Sequence, residues 1–206
     1  ALPGLRFEGV QAYNGGIQFL PDPLERQQAA VRVAGRIGAA REALAARGID
    51  LPLVSGGGTG SAGFDVMAGA LDELQCGSYV YMDGQYQSLG WPDAGPRFGL
   101  ALTLLATVIS VPTPTRAVVD AGWKSLSMDA GCPTPMNLPG ARFRFGGDEH
   151  GIIEVDDPRL RPALGQQIRF RPSHVDTTVN LHDRAISLRG GRVHGTIDIA
   201  ARGCVS

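Results

Sequence analysis

Residues 51–61 read Leu51-Pro52-Leu53-Val54-Ser55-Gly56-Gly57-Gly58-Thr59-Gly60-Ser61, a short apolar run that leads into a glycine-rich loop. An apolar run of this length is typical of a strand buried in a parallel sheet. We predict a helix over residues 63–74 after the loop, a further strand over residues 78–83 and an upstream strand over residues 7–13. Strands that alternate with helices in this way predict an α/β unit with a parallel sheet.

A longer helix separates the first two of these strands. Asp22 suits the N-cap, Pro23 suits the first helical position, and Glu25 stands three residues after the cap. The apolar periodicity ends at Arg47-Gly48, which places a cation in the last turn and a glycine beyond it. We therefore predict a helix from Pro23 to about residue 47.

The pattern changes after about residue 98, where short strands alternate with turns rich in proline and glycine. These segments predict an antiparallel β domain, with strands over residues 100–110, 116–120, 142–145, 151–155, 167–171, 185–188 and 193–199. We place the boundary near residue 95, with an α/β domain over residues 1–95 and an all-β domain over residues 96–206.

Three parallel strands and two helices do not cover both faces of a parallel sheet, as such sheets require. We therefore expect residues 1–95 to be the C-terminal part of a larger α/β unit, a barrel, and the chain to be the C-terminal portion of a longer protein.

Composition excludes several classes of function. The 206 residues carry a formal net charge of -1, so nothing indicates a basic nucleic-acid face or a membrane-binding patch. The chain does not begin with Met, and its first residues do not resemble a signal peptide. Three cysteines form no disulfide framework, which favours the cytoplasm. Only Lys124 is a lysine, so lysine-dependent chemistry must use it or a lysine outside this chain.

The glycine loop is a candidate phosphate site. Consecutive glycines allow close approach of the backbone to an anion, and the following helix adds a favourable dipole. The loop is neither a P-loop nor a GxGxxG motif. A flexible turn without a ligand is the alternative, and the loop alone does not decide between the two.

His174 and Asp176 form a His-x-Asp pair shortly after the strand predicted over residues 167–171. If Ile168–Arg171 is a strand, His174 and Asp176 lie on one face, because residues two apart in a strand point the same way. One nitrogen and one oxygen ligand can hold a divalent cation and leave positions open for a substrate. On spacing alone, polar residues at a strand end are the favoured interpretation.

Six segments, in the same order along the chain, resemble the D-threonine aldolase and D-serine dehydratase-like family. These are pyridoxal-phosphate enzymes with an alanine-racemase-type barrel followed by a β domain. The segments span nearly the whole chain and cover residues 9–15, 55–61, 74–83, 120–125, 148–151 and 172–183.

The resemblance implies roles for individual residues. Gly57, Gly58 and Thr59 would hold the phosphate of pyridoxal 5'-phosphate, and Tyr13 would sit beside the cofactor. The residues implied as metal ligands are His174 and Asp176. The family's Schiff-base lysine lies on the first barrel strand, which this chain does not contain, and Lys124 does not match that position.

The resemblance also implies a reaction. Dehydratases of the family tend to carry His-x-Cys and aldolases His-x-Asp, so Asp176 favours a D-threonine aldolase. An imidazole with a carboxylate suits manganese or magnesium better than zinc. The alternatives are a dehydratase of D-serine or D-threo-3-hydroxyaspartate, and a non-catalytic fragment that lacks the lysine. A homodimer, with the N-terminal barrel portion supplied upstream or by another chain, is a further expectation.

Overall fold

The computed structural model describes residues 3–91 and 97–204. The chain divides into two compact units, one of Ala1–Val80 with Tyr86–Gly99 and one of Tyr81–Gln85 with Leu100–Ser206. The domain boundary predicted near residue 95 lies outside the described residues. In the described part of the chain, no helix has both the length and the apolar character that crossing a membrane requires.

The first unit is an α/β unit, as predicted. Its sheet is parallel throughout, with the order β1-β2-β3, and the helices fall between successive strands. The elements are β1 (Val10–Gln11), α1 (Pro23–Ala45), β2 (Val54–Gly56), α2 (Ala62–Ala68) and β3 (Glu73–Leu74).

The start of α1 confirms the predicted N-cap, whereas the helix ends at Ala45 with no basic residue in its last turn, so the cation predicted there is wrong. The Asp22 carboxylate accepts a hydrogen bond of 2.9 Å from the Leu24 N–H, and Pro23 is the first helical residue. Gly48 takes a left-handed conformation (φ +68°) just beyond the helix, where glycine is the favoured residue. Ile37 of α1 packs with Val54 in the core of this unit.

The strand predicted over residues 78–83 is wrong, and so is the end of the helix predicted over residues 63–74. Gly69 is left-handed (φ +65°) and ends α2, so the chain returns to the sheet earlier, at β3. The Tyr79 N–H donates to Thr59 Oγ1 at 3.1 Å instead of to a neighbouring strand. Residues 78–80 form a 3-10 turn, and α3 (Gly84–Gln87) follows.

The second unit confirms the antiparallel β prediction. Six strands form one sheet with the order β6-β9-β4-β5-β8-β7, and its end strands β6 and β7 are neighbours, so the sheet nearly closes. These strands are β4 (Leu104–Thr113), β5 (Arg116–Val119), β6 (Thr134–Pro135), β7 (Arg142–Phe145), β8 (Gly151–Glu154) and β9 (Gln167–Arg171). A short helix, α4 (Val175–Val179), follows β9, and β10 (Arg184–Arg189) pairs with β11 (Arg192–Asp198) in a separate hairpin.

Alternating burial explains why β9 holds its register. Ile168 and Phe170 are fully buried in the core of the sheet, whereas Gln167 and Arg169 are exposed. A shift of one residue would expose both side chains, so the pattern fixes the register. Since β9 leads directly into α4, the core also fixes where residues 172–176 begin.

Candidate functional site

The predicted metal pair lies at the start of α4. β9 ends at Arg171, His174 is the N-cap of α4, and Asp176 lies in its first turn. The strand geometry predicted for this pair is therefore wrong. The predicted convergence holds nevertheless, because His174 Nε2 lies 3.5 Å from Asp176 Oδ2.

The donor set of this pair fits one metal ion. Two ligand atoms that each lie about 2.1 Å from an ion can be at most about 4.2 Å apart, and the pair meets this limit at 3.5 Å. Among residues 3–91 and 97–204, no three histidine, cysteine or acidic side chains are arranged so that all three could hold one metal ion. A metal bound here by His174 and Asp176 would keep positions open for other ligands.

The second ring nitrogen of His174 is also engaged. Nδ1 lies 2.5 Å from Asp129 Oδ2. Burial lowers the pKa of His174, but the hydrogen bond to Asp129 and the charges of Asp129, Asp176 and Asp83 outweigh it and leave the pKa raised. Burial likewise raises the pKa of Asp129, but hydrogen bonds from Ser127, His174 and Thr177 outweigh that effect and hold its pKa at about 2. The imidazole is thus held between two carboxylates.

A buried carboxylate fixes the backbone between His174 and Asp176. Asp83 is fully buried, and its Oδ2 accepts a hydrogen bond of 2.8 Å from the Val175 N–H. The next two residues bind the turn that precedes α4. The Gly84 N–H donates to the Pro172 carbonyl at 2.9 Å, and the Gln85 N–H donates to the Ser173 carbonyl at 3.0 Å. Residues 83–85 therefore clamp the turn that carries His174.

The candidate phosphate loop has the predicted setting, between β2 and α2. The side chain of Gln18 forms hydrogen bonds with both the backbone and a side chain of this loop. Gln18 Oε1 accepts hydrogen bonds from the N–H groups of Gly60 (3.0 Å) and Ser61 (3.2 Å), and its Nε2 donates to Ser61 Oγ at 2.8 Å. Ser61 Oγ in turn donates to Asp65 Oδ2 at 2.5 Å. The N–H groups of Gly60 and Ser61, which directly precede α2, are therefore already satisfied within the protein.

This network explains two of the glycines without any ligand. A Cβ on Gly58 would lie 2.6 Å from Gln18 Oε1, and one on Gly60 would lie 2.0 Å from the Gln18 carbonyl oxygen. Thr59 offers the better polar contact for a phosphate. Its Oγ1 accepts from the Tyr79 N–H, so its own hydroxyl hydrogen is available to another acceptor.

Tyr13 and Lys124 are the other residues that the sequence singled out. Tyr13 follows β1, is half-exposed, and its N–H donates to Gln11 Oε1 at 2.9 Å. Tyr13, Gly57, Gly58 and Thr59 belong to the first unit, and His174 and Asp176 to the second. Lys124 is exposed and pairs with Glu149 at 2.8 Å.

Sequence reasoning missed the supporting residues Gln18, Asp65 and Asp129. The spacing of residues could not indicate Asp129, because its partner His174 lies 45 positions further along the chain. Asp65 stands four residues after its partner Ser61, a spacing of one helical turn that does not by itself indicate a site. Gln18 did carry a weak signal, because it is a polar residue between Ile17 and Phe19 beside a predicted loop.

Known proteins similar to this chain include aldolases that act on D-amino acids. Residues 101–188 match a family model described as "Putative serine dehydratase domain". The chain is 43% identical over 203 residues to a D-threonine aldolase from Arthrobacter sp, covering 98% of this chain and 53% of the relative. It is 38% identical over 209 residues to a 3-hydroxy-D-aspartate aldolase from Paracoccus denitrificans (strain Pd 1222), covering 98% of this chain and 53% of the relative.

A solved structure shows the same fold. The crystal structure of D-threonine aldolase from Filomicrobium marinum superposes with a TM-score of 0.94 at 42% identity, covering 98% of this chain and 56% of that chain. The structure of an alanine racemase-like protein from Idiomarina loihiensis shares the fold, with a TM-score of 0.76 at 23% identity, covering 95% of this chain and 56% of that chain. The predicted fold class is confirmed. The chain spans about half the length of the curated relatives it matches.

Asp65 generates a prediction about pH. Burial raises the pKa of this carboxyl, and the hydrogen bond from Ser61 only partly opposes the rise. The folded state therefore binds a proton more tightly than the unfolded state, and stability falls as pH rises from about 3.9 through the raised folded value. Replacing Asp65 with Asn removes this loss, so the melting temperature of Asp65→Asn relative to the parent should increase across that range.

Thermal melts from pH 4 to pH 8 would measure this difference. Asp50→Asn is the matched control, because Asp50 is exposed. A difference that stays flat with pH for Asp65→Asn, as expected for Asp50→Asn, would contradict the assignment.

Asp83 generates a prediction about the clamp. Asp83→Ala leaves the N–H of the buried Val175 without its acceptor, which costs about 1–3 kcal/mol. Asp83→Asn keeps an oxygen acceptor and should retain more of the stability. Urea unfolding of both variants checks the order, and equal losses would mean that the bond to Val175 is not what Asp83 contributes.

Proposed function

Because the chain is a homologue of D-threonine aldolase and belongs to the D-threonine aldolase and D-serine dehydratase-like family, we propose that it is part of a carbon-carbon lyase. The complete protein would cleave D-threonine and related D-β-hydroxy-α-amino acids to glycine and an aldehyde. The observation that carries the proposal is the approach of His174 Nε2 to Asp176 Oδ2 at the start of α4.

The proposed cofactors are pyridoxal 5'-phosphate and a divalent metal ion. When bound, the first supplies an electron sink and the second a Lewis acid for the substrate's β-hydroxyl. His174 and Asp176 would hold the metal. Asp83 fixes the backbone between them, so both side chains leave the helix start in set directions.

In the first unit, Thr59 would contact the cofactor phosphate through its hydroxyl, together with the backbone of Gly57 and Gly58. Tyr13 would lie beside the cofactor, and its half-exposed ring supports such a contact. The exposed pair of Lys124 with Glu149 gives no support for a Schiff-base role. We therefore propose that residues outside these 206 supply that lysine.

A dehydratase is the second candidate, and the description of the matching family model favours it. The ligand set favours the aldolase. An imidazole with a carboxylate suits manganese or magnesium, whereas an imidazole with a thiolate suits zinc. Residue 176 is the carboxylate of Asp176, so we place the aldolase first.

Homodimerisation and a cytoplasmic location also remain proposals. The dimer rests on the resemblance to the family. The location rests on the three cysteines Cys76, Cys132 and Cys204, which are all unpaired.

The central test is an assay of the complete protein with D-threonine and pyridoxal 5'-phosphate. We expect glycine and acetaldehyde, loss of turnover after chelation, and recovery with Mn²⁺ or Mg²⁺. His174→Ala should lower turnover by roughly 100-fold or more, since loss of an outer partner alone costs about 10–100-fold. His194→Ala, which removes an exposed histidine of β11, should leave turnover unchanged.

The products separate the alternatives. A 2-oxo acid with ammonia would identify a dehydratase. The absence of any turnover by the complete protein would favour a non-catalytic role. Equal loss in His174→Ala and His194→Ala would remove the metal pair from the mechanism.

The ligand type at residue 176 should set metal preference. Asp176→Cys replaces a carboxylate with a thiolate, so the affinity for Zn²⁺ should rise relative to that for Mn²⁺. Competition titrations of the two ions against the parent protein and Asp176→Cys measure the ratio. An unchanged ratio would show that Asp176 is not a ligand.

A further inference from the structure

We propose that Asp129 is a positioning residue that orients His174 for metal binding by holding its Nδ1 hydrogen. The proposal rests on the proposed function, because it concerns the same metal site. It adds a residue 45 positions upstream of His174, in a loop between β5 and β6, to the site.

The first step is the geometry of the imidazole. A neutral histidine has one ring nitrogen that donates and one that accepts. Asp129 Oδ2 lies 2.5 Å from Nδ1, whereas Asp176 Oδ2 lies 3.5 Å from Nε2. A hydrogen on Nδ1, donated to Asp129, leaves the lone pair of Nε2 directed to the side where Asp176 lies. That is the tautomer a metal bound between Nε2 and Asp176 requires.

The second step is that Asp129 is itself held. Its Oδ1 accepts hydrogen bonds from the hydroxyls of Ser127 and Thr177, the latter at 3.0 Å. Oδ1 is therefore committed to these two donors, and Oδ2 is left for His174. Thr177 belongs to α4, so the carboxylate and the ring it orients are tied to the same helix.

The third step is that the loop carrying Asp129 is fixed to α4 through its backbone. The Ser127 N–H donates to Thr178 Oγ1 at 3.3 Å, and Ser173 Oγ donates to the Ser127 carbonyl at 3.2 Å. Thr178 Oγ1 donates to the His174 carbonyl at 2.7 Å. Such an outer arrangement is what ligating histidines commonly have, a carboxylate that accepts from the nitrogen opposite the metal.

A different account of the same geometry is a structural ion pair. In that case Asp129 and Asp176 would simply share the His174 ring, and removing Asp129 would lower stability without any specific effect on metal affinity. The two accounts differ in what a metal titration measures, so the experiment compares metal affinity with metal-free stability.

The experiment titrates the complete protein with Mn²⁺, without substrate, and follows free Mn²⁺ by electron paramagnetic resonance. Asp129→Asn should raise the Kd for Mn²⁺ by about 10–100-fold, the usual cost of losing an outer partner of a ligating histidine. Asp156→Asn is the control. It removes an exposed carboxylate of the same unit that pairs with Arg142, and its Kd should match that of the parent.

A second variant separates orientation from charge. Ser127→Ala combined with Thr177→Val removes both hydroxyls that hold Asp129 but keeps its negative charge. It should raise the Kd by several-fold, because Asp129 is then free to turn away from His174. This variant also decides the question if Asp129→Asn does not fold, and metal-free melting curves of every variant report stability separately.

Each outcome has a consequence. A Kd equal to that of the parent in both test variants would overturn the positioning role and leave the proposed function intact. A higher Kd in Asp129→Asn with no change in the double variant would reduce Asp129 to a nearby charge and overturn the proposal as well. A parent protein that binds no Mn²⁺ would overturn the proposed function and this inference together.

Discussion

The N–H of Val175 is the point on which the candidate metal site depends. It lies in the first turn of a helix, where backbone donors lack partners within the helix, and the residue is 1% exposed. The side chain of an N-cap residue accepts from the second or third N–H of a helix, so capping would leave the first N–H, that of Val175, without an acceptor. Asp83 supplies it from 92 residues away. The His174 side chain makes no cap hydrogen bond, and its ring contacts Asp129 on one side and Asp176 on the other.

The hydrogen bond between Asp83 and Val175 also requires a backbone path that the strand predicted over residues 78–83 would not provide. Met82 takes a left-handed conformation (φ 56°), which costs a residue with a side chain about 1–2 kcal/mol and ends any extended run. That bend comes directly before Asp83, and Gly84 then approaches the Pro172 carbonyl so closely that a Cβ would lie 3.2 Å from it. An ideal strand here would alternate its side chains and leave Val175 without its buried acceptor.

Sequence reasoning reached the fold class because alternation and apolar runs report burial directly, as in Ile168 and Phe170 of β9. It identified His174 and Asp176 but predicted the wrong local geometry. Two side chains that stand two residues apart can approach each other in a strand, and they can also do so when one is an N-cap and the other lies in the first turn of a helix. It could not reach Asp129, nor the contact of Asp83 with Val175. Each acts on the start of α4 from a distant point in the chain, and only the tertiary fold brings them there.

The glycine loop shows how a motif can be located correctly while its donors are miscounted. A glycine-rich loop suggests a row of free N–H groups, yet those of Gly60 and Ser61 donate to Gln18 Oε1, and the Gly58 N–H donates to Ser61 Oγ at 3.3 Å. Small residues are required at Gly58 and Gly60 because Gln18 fills the space below them. What the loop can offer an anion is therefore narrower than its composition implies, and it includes the hydroxyl of Thr59. Glycine count measures how closely two parts of a protein approach, and only the hydrogen-bond partners decide whether a ligand is one of them.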